Sequence, residues 1–288
     1  MMRMLLCTNG SSYTTRALDL GLHFAQAAAS AVDILVVGGG ELEEEAEQLA
    51  AEVAARLETS GVEVAIHRRI GRMREAVVEQ ARTALYDLVV IGSRGRRGIV
   101  RLLLGSTALH VTGHVPASVL VVKGPFRSPK RFLVCSAAGP ASEETVRFSG
   151  RLANALGASM TILHVMSQLP MAEDALLDDL EAEADELIQR DSREGRHLSR
   201  MLSLLTAEGI PVRAVVRHGL VVDEIIAEAR EGQYDLLVIG SHVTPGLNES
   251  LIDDLRADIL LAINRPVLVI DLTGVSERTT SQTQGSCA

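Results

Sequence analysis

The chain has 288 residues, of which 47% are hydrophobic, and a formal net charge of −9 at pH 7. This length predicts two domains with sizeable cores, and the acidic charge together with few aromatic residues argues against a nucleic-acid-binding protein. No apolar run approaches the roughly 20 residues that a membrane helix needs, and the apolar start of the chain is too short for a signal peptide. We therefore expect a cytoplasmic protein that does not bind membranes.

The first part of the chain alternates apolar runs with helical segments. Strands are predicted near Arg3–Cys7, Val32–Val37, Val62–His67, Asp87–Gly92 and Ala117–Lys123. Helices are predicted between them, at Thr14–Ala29, Glu41–Thr59, Arg72–Thr83 and Gly105–His114. Strands rich in Val, Ile and Leu that rarely alternate with polar residues are typical of a parallel sheet with helices on both faces. This order predicts a doubly wound α/β domain with five parallel strands in the order 3-2-1-4-5.

The same pattern occurs a second time. Residues 86–93 recur as residues 234–241 with one difference, Val89 against Leu237. Strands of the second copy are predicted at Phe132–Ser136, Thr161–Val165, Val212–Val216, Asp235–Gly240 and Val267–Asp271. We therefore predict two domains, 1–126 and 127–274, and a disordered Ser/Thr/Gln-rich tail at 275–288.

The second copy is about 20 residues longer than the first between its second and third strands. This segment, from about 172 to 207, is predicted to form a long acidic helical region. Gly195 is the expected position of a break between two helices, because glycine disfavours a helix interior.

A glycine-rich loop follows the fourth strand of the first copy. Gly92, Ser93, Arg94 and Gly95 are followed, after nine residues, by Gly105 and Ser106 at the start of a predicted helix. Glycines allow a ligand to approach the backbone closely, and the free N–H groups of a helix N-terminus bind anions. A strand, a glycine loop and a helix start therefore predict a phosphate site, and phosphate sites indicate nucleotides.

The second copy has lost this motif. Gly95 is replaced by Val243, and Gly105 and Ser106 are replaced by Asp253 and Asp254. The charges also differ, because residues 92–106 hold four arginines and no acid, whereas residues 240–254 hold three acids and no lysine or arginine. Carboxylates at the helix start would bond to the N–H groups that a phosphate needs and would repel an anion. We therefore expect nucleotide in the first copy only.

Both copies resemble universal stress protein domains, and the likeness extends to about residue 272. The family's ATP-binding signature, G-x-x-G, nine residues and G-[S/T], is complete in the first copy, and the strand ending at Val37, Gly71 and the closing strand Val119–Val122 also match. The resemblance implies an adenine-nucleotide alpha-hydrolase-like, Rossmann-like fold. It places ATP contacts on Thr8, Asn9, Val37, Ile91, Gly92, Arg94, Gly95, Gly105, Ser106 and Thr107.

The resemblance also implies a nucleotide cofactor and pairing of domains. ATP is the expected ligand, with AMP or ADP as alternatives. The last strands of the two copies are expected to pair as an intrachain pseudo-dimer, and tandem members commonly form homodimers. One departure is Asn9, where ATP-binding members usually have aspartate. Because an amide is a poorer ligand for a hard cation than a carboxylate, we do not expect strong dependence on Mg²⁺.

Three functions are consistent with these residues. The first is a nucleotide-binding stress-response regulatory protein; the second is a slow ATPase or nucleotidyl-transfer enzyme; the third is a ligand-independent protein-interaction scaffold. No catalytic residues are assigned, because the sequence contains no Walker motif, nucleophile elbow or zinc spacing. His110 and His114 have a spacing that can bind metal, but a surface pair is the favoured interpretation, and Cys7 is expected to be buried rather than reactive.

Overall fold

The computed structural model describes residues 2–39, 43–93, 106–124, 128–137, 140–166, 183–240 and 249–271. The chain divides into two compact units. The first unit contains residues 1–128 together with the segment that begins at Asn264, and the second contains Pro129–Ile263. The predicted tail at 275–288 and the part of the predicted acidic region before residue 183 lie outside the described residues. Among the described helices, none is both long enough and apolar enough to span a membrane.

Strands and helices alternate along most of the described chain. The strands are β1 Met2–Thr8, β2 Ala29–Gly38, β3 Glu63–Ile70, β4 Leu88–Gly92, β5 Ser118–Val122, β6 Arg131–Cys135, β7 Ser159–Met166, β8 Val212–His218, β9 Leu236–Gly240 and β10 Val267–Ile270. The helices are α1 Ser12–Ala28, α2 Glu43–Thr59, α3 Met73–Ala81, α4 Ser106–His114, α5 Pro140–Leu156, α6 Ala184–Gln189, α7 Arg193–Ala207, α8 Val221–Glu231 and α9 Glu249–Ala262. Ala29, predicted to end the first helix, instead begins β2.

The sheet of the first unit has the order β3-β2-β1-β4-β5-β10. Its first five strands are parallel, and Leu6 in β1 lies between Ile34 of β2 and Val90 of β4. The strand β10 is antiparallel to β5, with Val267 opposite Val121 and Val269 opposite Val119. The last strand of the second repeat thus extends the sheet of the first unit, which is the pairing that the resemblance implied.

The second unit has four parallel strands in the order β9-β6-β7-β8. The prediction of a repeated α/β fold with parallel strands is confirmed. The last strand of the second repeat, β10, is grouped with the first unit, where it is antiparallel to its neighbour β5.

Helices cover the sheet of the first unit on both faces. Helix α1 packs on β1 and β4 and contacts α2, whereas α4 packs on β5 and contacts α3. All residues of β4 and β5 are buried, and in β1 the exposed residue is Arg3. Burial on both faces explains why these strands show no alternation of apolar and polar residues.

The described part of the acidic region contains two helices, α6 and α7, as predicted, but the break is not at Gly195. The break lies at Asp191, whose φ of 52° is left-handed, and Ser192 then caps α7 by accepting a hydrogen bond from the Gly195 N–H at 2.9 Å. Gly195 lies in the first turn of α7, where a Cβ atom would collide with the carbonyl group of Leu187. Glycine therefore allows α7 to pack closely on the end of α6.

Candidate functional site

The sequence-predicted site lies where the strand order of the first unit reverses. From β1 the chain continues to β2 and β3 on one side of the sheet, and from β4 it continues to β5 on the other side. The strands β1 and β4 pair directly through Met4–Leu88 and Leu6–Val90. In doubly wound sheets the loops after two such strands diverge and leave a crevice at their carboxyl ends. Thr8 and Gly92 end these two strands, so Asn9 and Ser93 both stand at the edge of this crevice.

The turn after β1 is held by side-chain hydrogen bonds. The carboxamide oxygen of Asn9 accepts bonds from the Ser11 hydroxyl at 2.7 Å, the Thr14 hydroxyl at 3.1 Å and the Ser11 N–H at 3.3 Å. Gly10 has a φ of 79°, a conformation that favours glycine, and its N–H donates to the Thr8 hydroxyl at 3.2 Å. Because its oxygen is engaged in the turn, Asn9 offers a ligand its amide nitrogen, which is a hydrogen-bond donor.

Gly92 has a packing function that the sequence did not reveal. A Cβ atom at Gly92 would collide with the carbonyl oxygen of Tyr13 and would lie 2.8 Å from the Cα atom of Thr14. Glycine therefore lets the first turn of α1 rest directly on the end of β4. Since this turn carries the hydrogen-bonded loop of Asn9, Gly92 helps to position one side of the crevice.

The other predicted contacts are distributed over three elements. Val37 in β2 and Ile91 in β4 are 5% and 0% exposed, so both side chains belong mainly to the core. Ser106 and Thr107 begin α4, where the first N–H groups of a helix have no intrahelical partner and favour an anion. Arg94, Gly95 and Gly105 lie outside the described residues.

Two buried polar residues at this edge were not among the predicted contacts. Ser93 and Lys123 follow β4 and β5 and are 4% and 3% exposed. Within the described part of the chain, the Ser93 hydroxyl has no hydrogen-bond partner. Burial lowers the pKa of the Lys123 ammonium group to about 8. Ser93 is inside the glycine motif, which is a sequence signal, whereas Lys123 follows an apolar strand and its residue type gives no signal of burial.

The second unit has different chemistry at the position of Thr8 and Asn9. The equivalent residues are Ser136 and Ala137, and the Ser136 hydroxyl lies 2.7 Å from Nε2 of His197 in α7. The carbonyl oxygen of Ser136 accepts a hydrogen bond from Nδ1 of His164 at 3.0 Å. Burial lowers the pKa of both histidines. Histidine side chains therefore occupy the end of β6, and the importance of His197 was not predicted from the sequence.

The His110–His114 pair and Cys7, the weaker candidates from the sequence, lie in surroundings that favour a structural role. The rings of His110 and His114 stack at 4.2 Å, and Nδ1 of His114 lies 2.8 Å from the carbonyl oxygen of His110. The described residues contain no group of three or more His, Cys, Asp or Glu that could hold a metal ion. Cys7 is completely buried, and burial raises the pKa of its thiol, which disfavours the reactive thiolate.

Comparison with known proteins identifies the family. The family model described as "Universal stress protein family" matches residues 1–123 and again residues 129–271. A universal stress protein of Methanocaldococcus jannaschii is 36% identical over 84 residues, which are 29% of this chain and 49% of that protein. The match therefore spans about half the length of that relative. The chain belongs to the universal stress protein family and contains two of its domains.

Solved structures agree with this fold over nearly the whole chain. A universal stress protein from Archaeoglobus fulgidus has a TM-score of 0.66 at 21% identity, covering 94% of this chain and 96% of that one. A protein described as a putative universal stress protein from Pseudomonas aeruginosa has a TM-score of 0.65 at 14% identity, covering 94% and 93%. At these identities the likeness concerns the fold.

Proposed function

We propose that this protein is a stress-response regulatory protein that binds an adenine nucleotide in its first unit only. The observation that carries this proposal is the glycine motif, which is complete in the sequence of the first repeat. Its described ends, Gly92–Ser93 and Ser106, lie at the end of β4 and the start of α4, and the strand order reverses between β1 and β4. Nucleotide phosphates would bind between the donors of the turn after β1 and the N-terminal N–H groups of α4. Membership of the universal stress protein family supports a regulatory function.

The second unit supports the restriction to one site. Asp253 and Asp254 replace the glycine and serine of the motif, but α9 begins at Glu249, so the two residues lie in its second turn and not at its start as expected. At the end of β6, the Ser136 hydroxyl is already bonded to His197, and Ala137 has no polar group to replace that of Asn9. A phosphate there would have lost two donors, and the stretch 240–254 holds three acids and no lysine or arginine.

The expected cofactor is ATP, ADP or AMP, bound with little help from Mg²⁺. A hard cation requires oxygen ligands, and the one side-chain oxygen of Asn9 is already bonded to Ser11 and Thr14. The amide nitrogen can instead donate to a ribose or phosphate oxygen. Binding without catalysis is therefore the favoured activity of this site.

The test is the stoichiometry and location of bound nucleotide. Titration calorimetry of the full chain with ATP should give one site per chain, and mass spectrometry of nucleotide released from purified protein should identify the ligand. The variant Gly105→Asp, which introduces the residue of the second copy, should abolish binding. The reciprocal variant Asp253→Gly is the matched control and should leave binding unchanged. Two equivalent sites per chain, or unchanged binding by Gly105→Asp, would refute the proposal.

A further inference from the structure

Ser93 and Lys123 are neighbours on adjacent strands. Gly92 of β4 pairs with Val122 of β5, and the Ser93 N–H donates to the Val122 carbonyl oxygen at 2.9 Å. Continuing this register by one residue places Ser93 beside Lys123, with the strands about 4.8 Å apart. Neighbouring residues in register point to the same face of a sheet, so the hydroxyl and the ammonium group lie on one face.

This face is the one that α4 covers. Gly92 faces α1, because its absent side chain would collide with Tyr13. Successive residues of a strand alternate between faces, so Ser93 and Lys123 face away from α1, toward the side on which α4 packs on β5. A right-handed crossover from β4 begins its helix at the carboxyl ends of the strands. The N-terminus of α4 at Ser106 therefore lies at the same edge and on the same face as these two side chains.

The chemistry of the pair favours an anion. A buried hydroxyl without a partner is costly, and Ser93 has none among the described residues. Burial disfavours the charged form of the Lys123 ammonium group and lowers its pKa to about 8. A phosphate oxygen would accept a hydrogen bond from Ser93 and would favour the charged form of Lys123.

The second repeat provides an internal comparison. Its closing strand aligns with β5 residue by residue, and Asp271 stands at the position of Lys123. The copy with the complete glycine motif thus has a cation at the end of this strand, and the copy without the motif has a carboxylate. The two glycine-loop regions differ in charge in the same way, because residues 92–106 carry positive charge and residues 240–254 carry negative charge.

We propose that Ser93 and Lys123 bind the phosphate farthest from the base, beneath the N-terminus of α4, and thereby select nucleoside polyphosphates over monophosphates. The inference rests on the proposed function. With the base near Val37 in β2, the phosphates extend across β1 and β4, and β5 is the most distant of these four strands. A single phosphate next to the ribose stops short of β5, whereas the terminal phosphate of ATP reaches it.

The first experiment uses the unaltered protein, which contains two lysines, Lys123 and Lys130. Carbon NMR of protein labelled at the lysine Cε position should show one signal titrating near pH 8, assigned by its loss in Lys123→Met. Saturating ATP should raise the pKa of Lys123, and AMP should raise it much less. If ATP binds and the Lys123 titration does not move, the inference is wrong.

The second experiment measures dissociation constants of ATP and AMP by calorimetry. Lys123→Met and Ser93→Ala should each weaken ATP binding about tenfold or more, as for the loss of a charged hydrogen bond, and should change AMP binding by less than about threefold. Lys130→Met, which alters an exposed lysine of the second unit, should change neither. Equal losses for ATP and AMP, or no loss, would contradict the assignment to the terminal phosphate. Failure of the unaltered protein to bind either nucleotide would instead refute the proposed function.

Discussion

His197 and Ser136 join the inserted helix α7 to the end of β6, with Nε2 of the imidazole 2.7 Å from the hydroxyl oxygen. The ring of His164 is tilted against that of His197, with 6.0 Å between the ring centres. The neighbouring titratable and charged groups are Glu194, His218, Arg200 and Glu143. Two partly or fully buried imidazoles in contact cannot both be protonated without a cost in free energy.

The second unit should therefore lose stability in acid. Burial lowers the pKa of His164 and of His197 from the ordinary 6.5, so the unfolded chain binds more protons than the folded chain below that pH. This stabilisation is present above pH 6.5 and is lost as the pH falls through the folded-state pKa values. Urea unfolding followed at about pH 7.5 and about pH 5.0 should show a lower midpoint for the second unit at the lower pH.

The double variant His164→Gln, His197→Gln should reduce this pH dependence. A control is His114→Gln, which alters an exposed histidine of α4 in the first unit. An unfolding midpoint that falls equally in the double variant and in the unaltered protein would show that other groups cause the acid sensitivity.

Replacing Asn9 with aspartate should make nucleotide binding depend on Mg²⁺. A carboxylate has two oxygens, so one can keep the bond to the Ser11 hydroxyl while the other coordinates a cation. Calorimetry with ATP in EDTA and in Mg²⁺ should give similar dissociation constants for the unaltered protein and a gain from Mg²⁺ of about tenfold for Asn9→Asp. Complete loss of ATP from the unaltered protein in EDTA would contradict the role assigned to Asn9.

Gly92→Ala should destabilise the first unit by roughly 1–3 kcal/mol, the usual cost of overpacking. The added methyl group would collide with the backbone of Tyr13 and displace the first turn of α1, so ATP binding should weaken as well. Denaturant unfolding and calorimetry measure the two effects. The matched control is Gly240→Ala in the second repeat, where the nearest atom to a new Cβ is the Thr145 hydroxyl oxygen at 3.1 Å. Because a side chain can move more easily than a backbone, Gly240→Ala should cost less, and equal costs would refute this explanation.

A fragment containing residues 1–126 should self-associate through β5. In the full chain β10 covers this strand, with Leu268 opposite Leu120, and an uncovered apolar edge pairs readily with another strand. Size-exclusion chromatography should show dimers or aggregates of the fragment, and co-expression with residues 127–288 should restore a single complex. A monomeric, soluble fragment 1–126 that binds nucleotide fully would show that β10 is not needed to protect β5.

The sequence predicted the fold well because apolar runs and an internal repeat can both be recognised without coordinates. Apolar runs such as Leu88–Ile91 reflect burial on both faces, and the repetition of residues 86–93 at 234–241 shows the duplication directly. Element ends were less accurate, as at Ala29, since the residue that ends a helix is decided by the packing of the next strand. The predicted helix break at Gly195 was wrong, because a glycine can permit close packing within a helix as well as a break.

For the site, the sequence by itself determined the glycine motif, the contrast between the two repeats and the substitution at Asn9. These features are properties of residue type and spacing, which need no coordinates. The tertiary structure decided what the residues contact: Gly92 meets α1, the Asn9 oxygen is engaged by Ser11, Ser93 lies beside Lys123, and His197 reaches Ser136. These pairs are distant in sequence or depend on the face to which a side chain points. The burial that lowers the pKa of Lys123 comes from all the elements that pack around its side chain, so the residues next to it in the sequence do not predict it.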